Sequence, residues 1–564
     1  MSLRAGAFGL AWVAANLPGY AGYAAALSDP AAAQRSALRR ILRVNANTAF
    51  GRAHGFHDIR TVAEYQARVP LSRYGDYRPF IDRIRAGEPR VLTRARVKVL
   101  EPSSGSTHAA KWIPCTSDLQ REFRRAIAPW IVDLYGRRPR LALGPAYWSI
   151  TPVAQEEKEP ASGVRAGFEE DSEYLGGFFR RIVDATLAVP PAVRHIRDIE
   201  VFRYATLLFL LRSAELRLIS VWHPSFLSLL LGALEVHWPR LLRDLERGTL
   251  DPPASLPAPL RSRLASGLRP EPRRAATLKS VAPADYGRIW PRLALISCWG
   301  DAHAAQSLQQ LRRAFPGVEI QPKGLLATEA FVTLPFAGRT PLAIRSHFFE
   351  FLEDKAPVLA EHLLPGRTYS VVVTTGGGLY RYRLEDRVEV TGFVGRTPAL
   401  RFLGKEDHVS DLRGEKLHEC FVADVMRTVL EEARLDPRFA LLAPDEDGSR
   451  PVYTLYLECD ADPPEALASH LEEQLQTNPH YRSCVALGQL APVRMFRISG
   501  GGFRAYVERC RESGQRLGQI KPLSLSARMG WSESFTGRYV EGAAAPRPLP
   551  GRRSEGAGQA DFGP

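Results

Sequence analysis

The feature that most constrains how this chain folds is a break in its apolar pattern at Gly404–Asp407, within RFLGKEDHVSDLRGEKLHE (401–419). At 564 residues the chain is too long for one ordinary core, so it must divide into domains. After the break the pattern restarts. The spacing there predicts a helix over 416–434, a strand over 452–459, a helix over 463–476 and a strand over 493–499. The short polar segment Lys405–Asp407 is therefore predicted to be a hinge between two domains.

The whole chain is predicted to be an α/β protein in three parts. A large domain is expected over 1–403, a smaller α+β domain over 404–540, and a disordered tail rich in Gly, Ala, Pro and Arg over 541–564. The polar stretch 155–177 is predicted to be a surface insertion. In the large domain the patterns predict helices over 117–135, 200–247 and 304–315, strands over 292–299, 368–375 and 387–394, and a strand-turn-strand unit over 318–335.

The charge of the chain argues against a nucleic-acid partner. The formal net charge is +14, but only nine of the 75 basic residues are lysine, which indicates a coding bias towards arginine. No long basic block is present, and no basic stretch is interleaved with aromatic residues. The same bias makes each lysine informative, since lysine is kept where a compact point charge is needed.

The cysteines and the apolar segments indicate a cytoplasmic protein with no membrane span. Six cysteines are spread along the chain without a CxxC pair, so we expect no structural zinc site and no disulfide scaffold. Scattered thiols fit a reducing compartment. Residues 5–27 are apolar, but Asn16, Pro18 and Gly19 interrupt them, which favours a helix packed on the domain. The run 205–218 contains three charged residues and is predicted to be a buried helix.

Three segments before the hinge contain residue types that suit a nucleotide. The serines and Thr107 of EPSSGSTHAAKWIP (101–114) could cradle phosphate, although a Ser/Gly turn is more often only a turn. Glu329 in LLATEAFVTLP (325–335) could hold Mg²⁺ against a phosphate, or it could be a simple edge-strand glutamate. Asp386, after three glycines and a strand, could accept from ribose hydroxyls, or its strand could be a surface hairpin.

Two further lysines and an arginine pair complete the candidates. Lys416 is expected at the start of the helix that follows the hinge, and Lys521 lies in RLGQIKPLSL (516–525), in a turn before a proline. Arg124 and Arg125 on the helix 117–135 could contact a carboxylate, although a solvated arginine pair is the more common arrangement in so arginine-rich a chain.

In this order the five segments resemble the GH3 family of acyl-acid amido synthetases, a branch of the adenylate-forming enzymes. The resemblance spans roughly residues 40–530, and no single motif accounts for it. The segment Ser103–Pro114 is similar to the family's phosphate loop, and Ala327–Glu329 is similar to its Ser-Ser-Glu element. The segment Gly378–Asp386 is similar to the GLYRYRVGD element. After it, Glu415–Lys416 is similar to the Asp-Lys element and Gln519–Lys521 to the late Gln-Tyr-Lys element.

The chain departs from the family pattern at three places. His108-Ala109-Ala110 stands where the phosphate loop often has a further glycine, Glu385 replaces the glycine expected before Asp386, and Ile520 replaces an aromatic residue. None of these changes removes a charged group that the chemistry needs. They bear on the fine shape of the phosphate and ribose contacts.

The resemblance implies an ATP- and Mg²⁺-dependent ligase. A large adenylate-forming domain of β-sheets flanked by helices, with a barrel-like part, would contain the nucleotide and acyl sites, and the small domain would move on the hinge. A carboxylic acid would be converted to an acyl-adenylate with release of pyrophosphate, and an amine, usually of an amino acid, would then displace AMP. A monomer is favoured.

The resemblance also implies roles for particular residues. Lys521 and Lys416 would be catalytic, Glu329 would hold the metal, and Arg124 and Arg125 would contact the acyl substrate. The residues implied in nucleotide binding are Ser103, Ser104, Gly105, Ser106, Thr107, Thr328, Glu329, Tyr380, Asp386 and Phe393.

Two other functions stay open at this stage. One is a related adenylate-forming enzyme that passes the acyl group to coenzyme A or another acceptor. The other is a non-catalytic relative that binds a nucleotide or an acyl acid. The charged residues Glu329, Asp386, Lys416 and Lys521 argue against loss of catalysis.

Overall fold

The computed structural model describes residues 3–103, 111–149, 165–166, 186–301, 304–406, 408–447, 450–513, 515 and 520–540. By their internal contacts the residues form two compact units: Met1–His408 with Val507–Leu523, and Val409–Tyr506 with Ser524–Pro564. The domain limits expected from the sequence stay predictions, as does the hinge. The predicted tail and nearly all of the predicted insertion lie outside the described residues.

The larger unit begins with helices and contains three sheets. Its helices are α1 (Leu3–Ala26), α2 (Pro30–Asn45), α3 (Ala49–Ala53), α4 (Val62–Arg68), α5 (Tyr74–Arg85), α6 (Ser117–Arg137), α7 (Ile199–Arg212), α8 (Pro224–Arg247), α9 (Ala258–Ala265), α10 (Pro272–Lys279), α11 (Tyr286–Ile289) and α12 (Ala304–Ala314). Its strands are β1 (Val99–Ser103), β2 (Lys111–Cys115), β3 (Ala146–Trp148), β4 (Arg165–Ala166), β5 (Leu218–Ser220), β6 (Leu295–Cys298), β7 (Glu319–Pro322), β8 (Phe348–Glu353), β9 (Ala356–Leu359), β10 (Thr368–Thr374), β11 (Tyr382–Val394) and β12 (Thr397–Lys405).

A parallel sheet in the order β3-β5-β6-β7 forms the centre of one core. Its strands are short, and β5 and β6 are buried along their whole length, as expected when helices cover both faces. Helices α7 and α8 connect and cover these strands, and their leucines are buried with Ile219 and Ile296. The carboxyl ends of all four strands therefore meet at one edge of the sheet.

An antiparallel sheet in the order β12-β11-β10-β8-β9 occupies the part for which the resemblance implies a barrel. The long strand β11 pairs with β10 on one side and β12 on the other, and its register shifts after Arg387 and again near Gly392. Strands β1 and β2 form a third, smaller sheet with β4, in which Ser103 is paired with Lys111.

Local signals explain where several helices begin. Thr116 caps α6 by accepting a hydrogen bond from the Leu119 N–H, and Thr61 caps α4 in a reciprocal arrangement with Glu64. The apolar segment at the N-terminus forms α1, and its Trp12 and Tyr23 are buried against the large core, as the sequence predicts. None of the helices among the described residues is long and apolar enough to cross a membrane.

The smaller unit is an α+β unit. Its elements are β13 (Val409–Ser410), β14 (Leu417–His418), α13 (Glu419–Glu432), β15 (Pro437–Asp447), β16 (Arg450–Cys459), α14 (Leu467–Leu475), α15 (Pro479–Ala486), β17 (Ala491–Ile498), the start of α16 (Gly502–Glu512) and β18 (Gly537–Tyr539). The sheet order is β15-β16-β17-β18. The sequence predicts the two central strands and misses β15.

Candidate active site

Three tryptophans and a lysine stand at the carboxyl edge of the parallel sheet. Trp148 ends β3, Trp222 lies two residues after β5, Trp299 directly follows β6, and Lys323 directly follows β7. Ligands of open α/β sheets bind at this edge. The backbone fixes the arrangement, because Trp299 N donates to Trp222 O at 2.7 Å and Lys323 N donates to Cys298 O at 2.9 Å.

The ammonium of Lys323 is enclosed by aromatic rings. Its Nζ lies 5.0 Å from the ring centroid of Trp130, 5.5 Å from that of Trp222 and 5.9 Å from that of Trp148, within cation–π range. The same Nζ donates a hydrogen bond to Ser220 Oγ at 2.6 Å. This edge of the sheet therefore combines flat apolar surfaces with a fixed positive charge.

A second lysine, Lys521, lies on the neighbouring tryptophan. Its Nζ is 3.9 Å from the centroid of the Trp299 ring, whose other contacts include Phe402 and His223. The sequence places Lys521 in the small domain, whereas the contacts group it with the larger unit. The cation–π contact with Trp299 is a physical reason for that grouping.

His223, which the sequence analysis did not single out, caps helix α8. Its Nδ1 accepts from the Ser225 N–H at 3.2 Å and lies 2.6 Å from Ser225 Oγ. Burial, and secondly the charge of Lys521, lowers the pKa of His223 to about 3. The imidazole is therefore neutral near pH 7.

Asp386 is buried and paired with a lysine on the next strand. It stands opposite Lys405 in the register of β11 and β12, and its Oδ1 accepts from Lys405 Nζ at 2.7 Å. The Lys405 Nζ also donates to the Leu384 carbonyl at 3.2 Å. Only 2% of Asp386 is exposed, so the lysine provides the charge that a buried carboxylate needs.

Glu329 lies in a tight turn with two lysines near it. The turn is closed by hydrogen bonds between Ala327 and Ala330 in both directions, which places Thr328 and Glu329 at its tip. Burial raises the pKa of the Glu329 carboxyl, while the charges of Lys405 and Lys111 oppose the rise. Glu329, Asp386, Lys405 and Lys111 therefore form one cluster, to which we refer as the carboxylate–lysine cluster.

Glu385, the departure from the family glycine, has a left-handed backbone. Its φ is 62°, a conformation that glycine adopts without strain. Its carboxylate lies 3.9 Å from Lys111 Nζ and 3.6 Å from Arg73 Nε, and its carbonyl accepts from the Glu406 N–H at 2.7 Å. The substitution therefore adds a negative charge next to the carboxylate–lysine cluster.

Other predicted nucleotide contacts are supported only by the motif. Ser104, Gly105, Ser106 and Thr107 lie outside the described residues, and Ser103 is described only as the last residue of β1. Tyr380 lies in the core: its ring stacks on Phe50 and its hydroxyl donates to the Leu92 carbonyl at 2.6 Å. Phe393 is on the same strand as Asp386, ~20 Å along it at the usual rise per residue.

Lys416 belongs to the smaller unit and does not begin a helix. It has a φ of 46° and precedes the short strand β14, while α13 begins at Glu419. The loop before it is held by the buried carboxylate of Glu415, which accepts from the N–H groups of Leu412 and Arg413, each at 2.7 Å, and from the Tyr453 hydroxyl at 2.6 Å. This bonding keeps residues 412–416 out of the helix.

The two arginines predicted to contact the acyl carboxylate are both half-buried on α6. Burial lowers the pKa of each guanidinium, in Arg125 to about 10. Arg125 faces a cavity lined by α1, α2 and the segment before β8, and neither Lys323 nor Lys521 lines that cavity. Their contact with an acyl substrate stays a prediction.

Six groups at the two lysine sites were not predicted from the sequence: Lys323, His223, Trp130, Trp148, Trp222 and Trp299. Lys405 was predicted only as part of the hinge. The scarcity of lysine was the signal that could have identified Lys323 and Lys405. Among the described residues no group of three or more His, Cys, Asp or Glu side chains is placed to hold a metal ion.

Comparison with protein families gives matches along most of the chain. Residues 22–320 match the GH3 family N-terminal domain, residues 340–405 its central domain and residues 422–528 its C-terminal domain. The chain is 26% identical over 574 residues to the indole-3-acetic acid-amido synthetase GH3.8 of Oryza sativa subsp. indica, with 93% of each protein covered. It is 24% identical over 539 residues to the indole-3-acetic acid-amido synthetase GH3.3 of Arabidopsis thaliana, with 86% of this chain and 88% of that protein covered.

Solved structures show the same fold. The GH3.15 acyl acid amido synthetase aligns with a TM-score of 0.79 at 23% identity, covering 91% of this chain and 95% of that one. A structure of AtGH3.15 acyl acid amido synthetase in complex with 2,4-DB aligns with a TM-score of 0.81 at 22% identity, covering 92% of this chain and 96% of that one. The α/β class with a large and a small unit is confirmed.

Proposed function

This chain belongs to the GH3 family, and on that premise we propose that it is an ATP-dependent acyl-acid amido synthetase. It joins a carboxylic acid to the amine of an amino acid in two steps, through an acyl-adenylate. The observation on which the proposal rests is the position of Lys521. Its ammonium lies on Trp299 at the ligand-binding edge of the parallel sheet.

In the first step a carboxylate oxygen of the acid attacks the α-phosphorus of ATP, and the bond to the pyrophosphate oxygen breaks. Both reactants are anions, so the attack needs positive charge at the reacting phosphate. Lys521 supplies that charge. His223 is neutral near pH 7, so in this mechanism it adds no positive charge beside Lys521.

The carboxylate–lysine cluster holds the nucleotide. Asp386 accepts hydrogen bonds from the ribose hydroxyls, and Lys405 keeps its carboxylate charged and oriented. Lys111 directs positive charge to the phosphates, together with the Ser103–Thr107 loop. Thr328 lies beside Glu329 at the tip of its turn and contacts the phosphates.

Glu329 is the proposed magnesium ligand. Mg²⁺ in nucleotide sites is commonly held by one or two carboxylates and the phosphate oxygens, and it shields phosphate charge. A buried carboxylate whose pKa is raised by burial fits this role, since a cation beside it would stabilise the ionised form. Glu329 would supply one carboxylate oxygen, and the phosphate oxygens of ATP would complete the coordination.

The acid is proposed to be a flat aromatic carboxylic acid. Trp130, Trp148 and Trp222 offer ring surfaces around Lys323, which suit an aromatic body that has a polar substituent. Two relatives are named for an indole acid, and the structural relative was solved with 2,4-DB. The indole N–H of Trp148 has no hydrogen-bond partner within the described ranges and could donate to such a substituent.

In the second step the amine attacks the acyl carbon and AMP leaves. We place the hinge for this step at Lys405–Asp407, with Lys416 contacting the phosphate or ribose after the small domain moves. Closure would protect the adenylate from water. The six free thiols fit a cytoplasmic location, and a monomer stays the expectation.

The test is acid-dependent exchange of pyrophosphate into ATP with a panel of aromatic and aliphatic acids. Exchange with an aromatic acid is expected, followed by AMP release that requires both that acid and an amino acid. Lys279→Ala, which removes an exposed lysine of α10, is the matched control for Lys521→Ala. Exchange with thioester but no amide formation would favour a coenzyme A ligase. Nucleotide or acid binding with no exchange would favour a binding protein.

A further inference from the structure

A cavity of about 390 Å³ in the larger unit contains three arginines. Arg40 of α2, Arg125 of α6 and Arg345, which precedes β8, line it together with Asp29 and small side chains of α1 and α2. None of these residues belongs to the carboxylate–lysine cluster, and none lies at the edge of the parallel sheet. The cavity is thus a separate feature of the fold.

Two of the three guanidinium groups have no partner among the described residues. Arg40 donates to the Ser346 carbonyl at 2.8 Å and lies 3.5 Å from Glu122. For Arg125 and Arg345, neither a hydrogen bond nor an ion pair is found within the described part of the chain. A guanidinium has five N–H donors, and half-buried donors ordinarily find acceptors. Both arginines therefore have N–H donors available to a ligand in this partly open cavity.

The charges in the cavity repel one another. The pKa of Arg125 is lowered to about 10, first by burial and then by the neighbouring charges of Arg40 and Arg345, against the opposing effect of Glu122. Asp29 supplies one negative charge against the three arginines, so the lining of the cavity keeps a net positive charge. An anion in the cavity would remove this repulsion.

The fold also makes room for the third arginine. An added Cβ on Gly22 of α1 would lie 1.7 Å from an Nη of Arg345, so the guanidinium occupies space that only glycine leaves open. Replacing Gly22 with alanine would push the end of this side chain away without changing any charge. That gives a variant which alters the geometry of the cavity alone.

We propose that this cavity is a binding site for a phosphate group, separate from the nucleotide site. Three guanidinium groups, two of which have no partner among the described residues, place more positive charge in the cavity than a single carboxylate would balance, and their paired donors suit the oxygens of a doubly charged phosphate. The volume exceeds that of inorganic phosphate, so a small phosphate ester also fits. Inorganic phosphate and a phosphate ester would both be bound through their phosphate oxygens.

Calorimetric titration of the full chain with sodium phosphate, at constant ionic strength, tests the proposal. Saturable binding is expected, weakened at least tenfold in Arg125→Gln and in Arg345→Gln, and weakened in Gly22→Ala. Arg39→Gln removes an equal charge from an exposed position beside Arg40 and should bind phosphate as the wild type does.

A second arm uses glycerol 3-phosphate. Tighter binding than inorganic phosphate would identify an ester as the occupant, and weaker binding would identify the free ion; both support the site.

The melting temperature of Arg125→Gln without phosphate should be higher than that of the wild type, and it should rise less when phosphate is added.

Three results would overturn the proposal. The first is an absence of saturable phosphate binding in the wild type. The second is an equal phosphate affinity in Arg125→Gln and the wild type. The third is a rise in the KM of the acyl acid in Arg125→Gln with unchanged phosphate affinity, which would instead assign Arg125 to the acyl carboxylate.

Discussion

Lys405 and Asp386 face each other across neighbouring antiparallel strands, and Lys405 Nζ donates to Asp386 Oδ1 at 2.7 Å. Asp386 is the proposed ribose ligand, and Lys405 is the first residue of the predicted hinge. In the proposed mechanism, the segment that rotates between the two half-reactions would therefore begin at the ion-pair partner of the proposed ribose ligand. Movement of the small domain and occupancy of the ribose site are coupled through this pair in the proposed mechanism.

Asp386→Ala should weaken ATP binding more than it slows turnover. A carboxylate that accepts from ribose hydroxyls stabilises the ground state and the transition state alike, so its loss appears mainly in affinity. A loss of about 10- to 100-fold in ATP affinity corresponds to one or two hydrogen bonds to a charged group. Calorimetry with ATP and with AMP measures it, and wild-type affinity for both would contradict the assignment.

The same pair allows a double-mutant cycle. Lys405→Met keeps the length of the side chain but leaves a buried carboxylate without its cation, so ATP affinity should fall. In the double variant with Asp386→Ala the additional loss should be small, because Lys405 acts through Asp386. Additive losses would mean that Lys405 contacts the nucleotide independently.

Lys521→Ala should abolish adenylate formation with little change in ATP binding. Its charge is needed mainly when the α-phosphate is attacked, and losing one such preorganised charge costs on the order of 10²–10³ in rate. Pyrophosphate exchange measures the loss, and calorimetry measures ATP binding. Lys279→Ala, on the same unit but ion-paired with Glu246 at the surface, should keep the exchange rate. Unchanged exchange in Lys521→Ala would remove Lys521 from the mechanism.

Lys323→Met should raise the KM of the acid with a smaller effect on kcat. Methionine keeps an unbranched side chain between the tryptophans and removes only the charge and the hydrogen bond to Ser220 Oγ. If Lys323 recognises a polar substituent of the acid, acids without that substituent should lose little. An equal loss across all acids, together with a lower melting temperature, would indicate a purely structural lysine.

The sequence predicted element types well where the apolar pattern was long. The helix 117–135 is observed as Ser117–Arg137, and the strand 292–299 as the shorter Leu295–Cys298. The order of motifs along the chain identified the family. Apolar patterns and the order of motifs are properties of the sequence itself, so they can be predicted without knowledge of the fold.

The surroundings of Lys323 could not be predicted in the same way. Trp148, Trp222 and Lys323 are distant in sequence and meet because β3, β5 and β7 belong to one parallel sheet, and Trp130 contacts Lys323 from helix α6. A lysine after a short strand is indistinguishable from a solvated one until the strand order is known. Glu385 is a similar case, because the sequence showed the missing glycine but gave no backbone angle.

The variant Glu385→Gly should be more stable than Glu385→Ala, although glycine within a strand is ordinarily the less stable of the two. At a φ of 62° alanine keeps the steric cost of the left-handed backbone and glycine does not, so the glycine variant should be the more stable by about 1 kcal/mol. Denaturant unfolding measures the difference, and a more stable alanine variant would contradict it.

Both variants remove the carboxylate 3.9 Å from Lys111, so both should bind ATP more tightly by the same factor of about 2–5.

The stability of the larger unit should depend on pH through His223. The pKa of this imidazole is about 3 in the folded chain and 6.5 when unfolded, so between these values the unfolded state binds more protons. The stabilisation is therefore fully present above pH 6.5 and is lost as the pH falls towards 3. From pH 7 to pH 5 the unfolding free energy should fall by about 2 kcal/mol from this group alone.

His223→Asn keeps a good helix cap without a titrating group, so its unfolding free energy should fall by about 2 kcal/mol less than that of the wild type over the same range. Denaturant unfolding of both proteins at pH 5, 6 and 7 gives the comparison. Equal pH slopes in the wild type and the variant would show that His223 titrates normally, and its neutral state would have to be removed from the proposed mechanism.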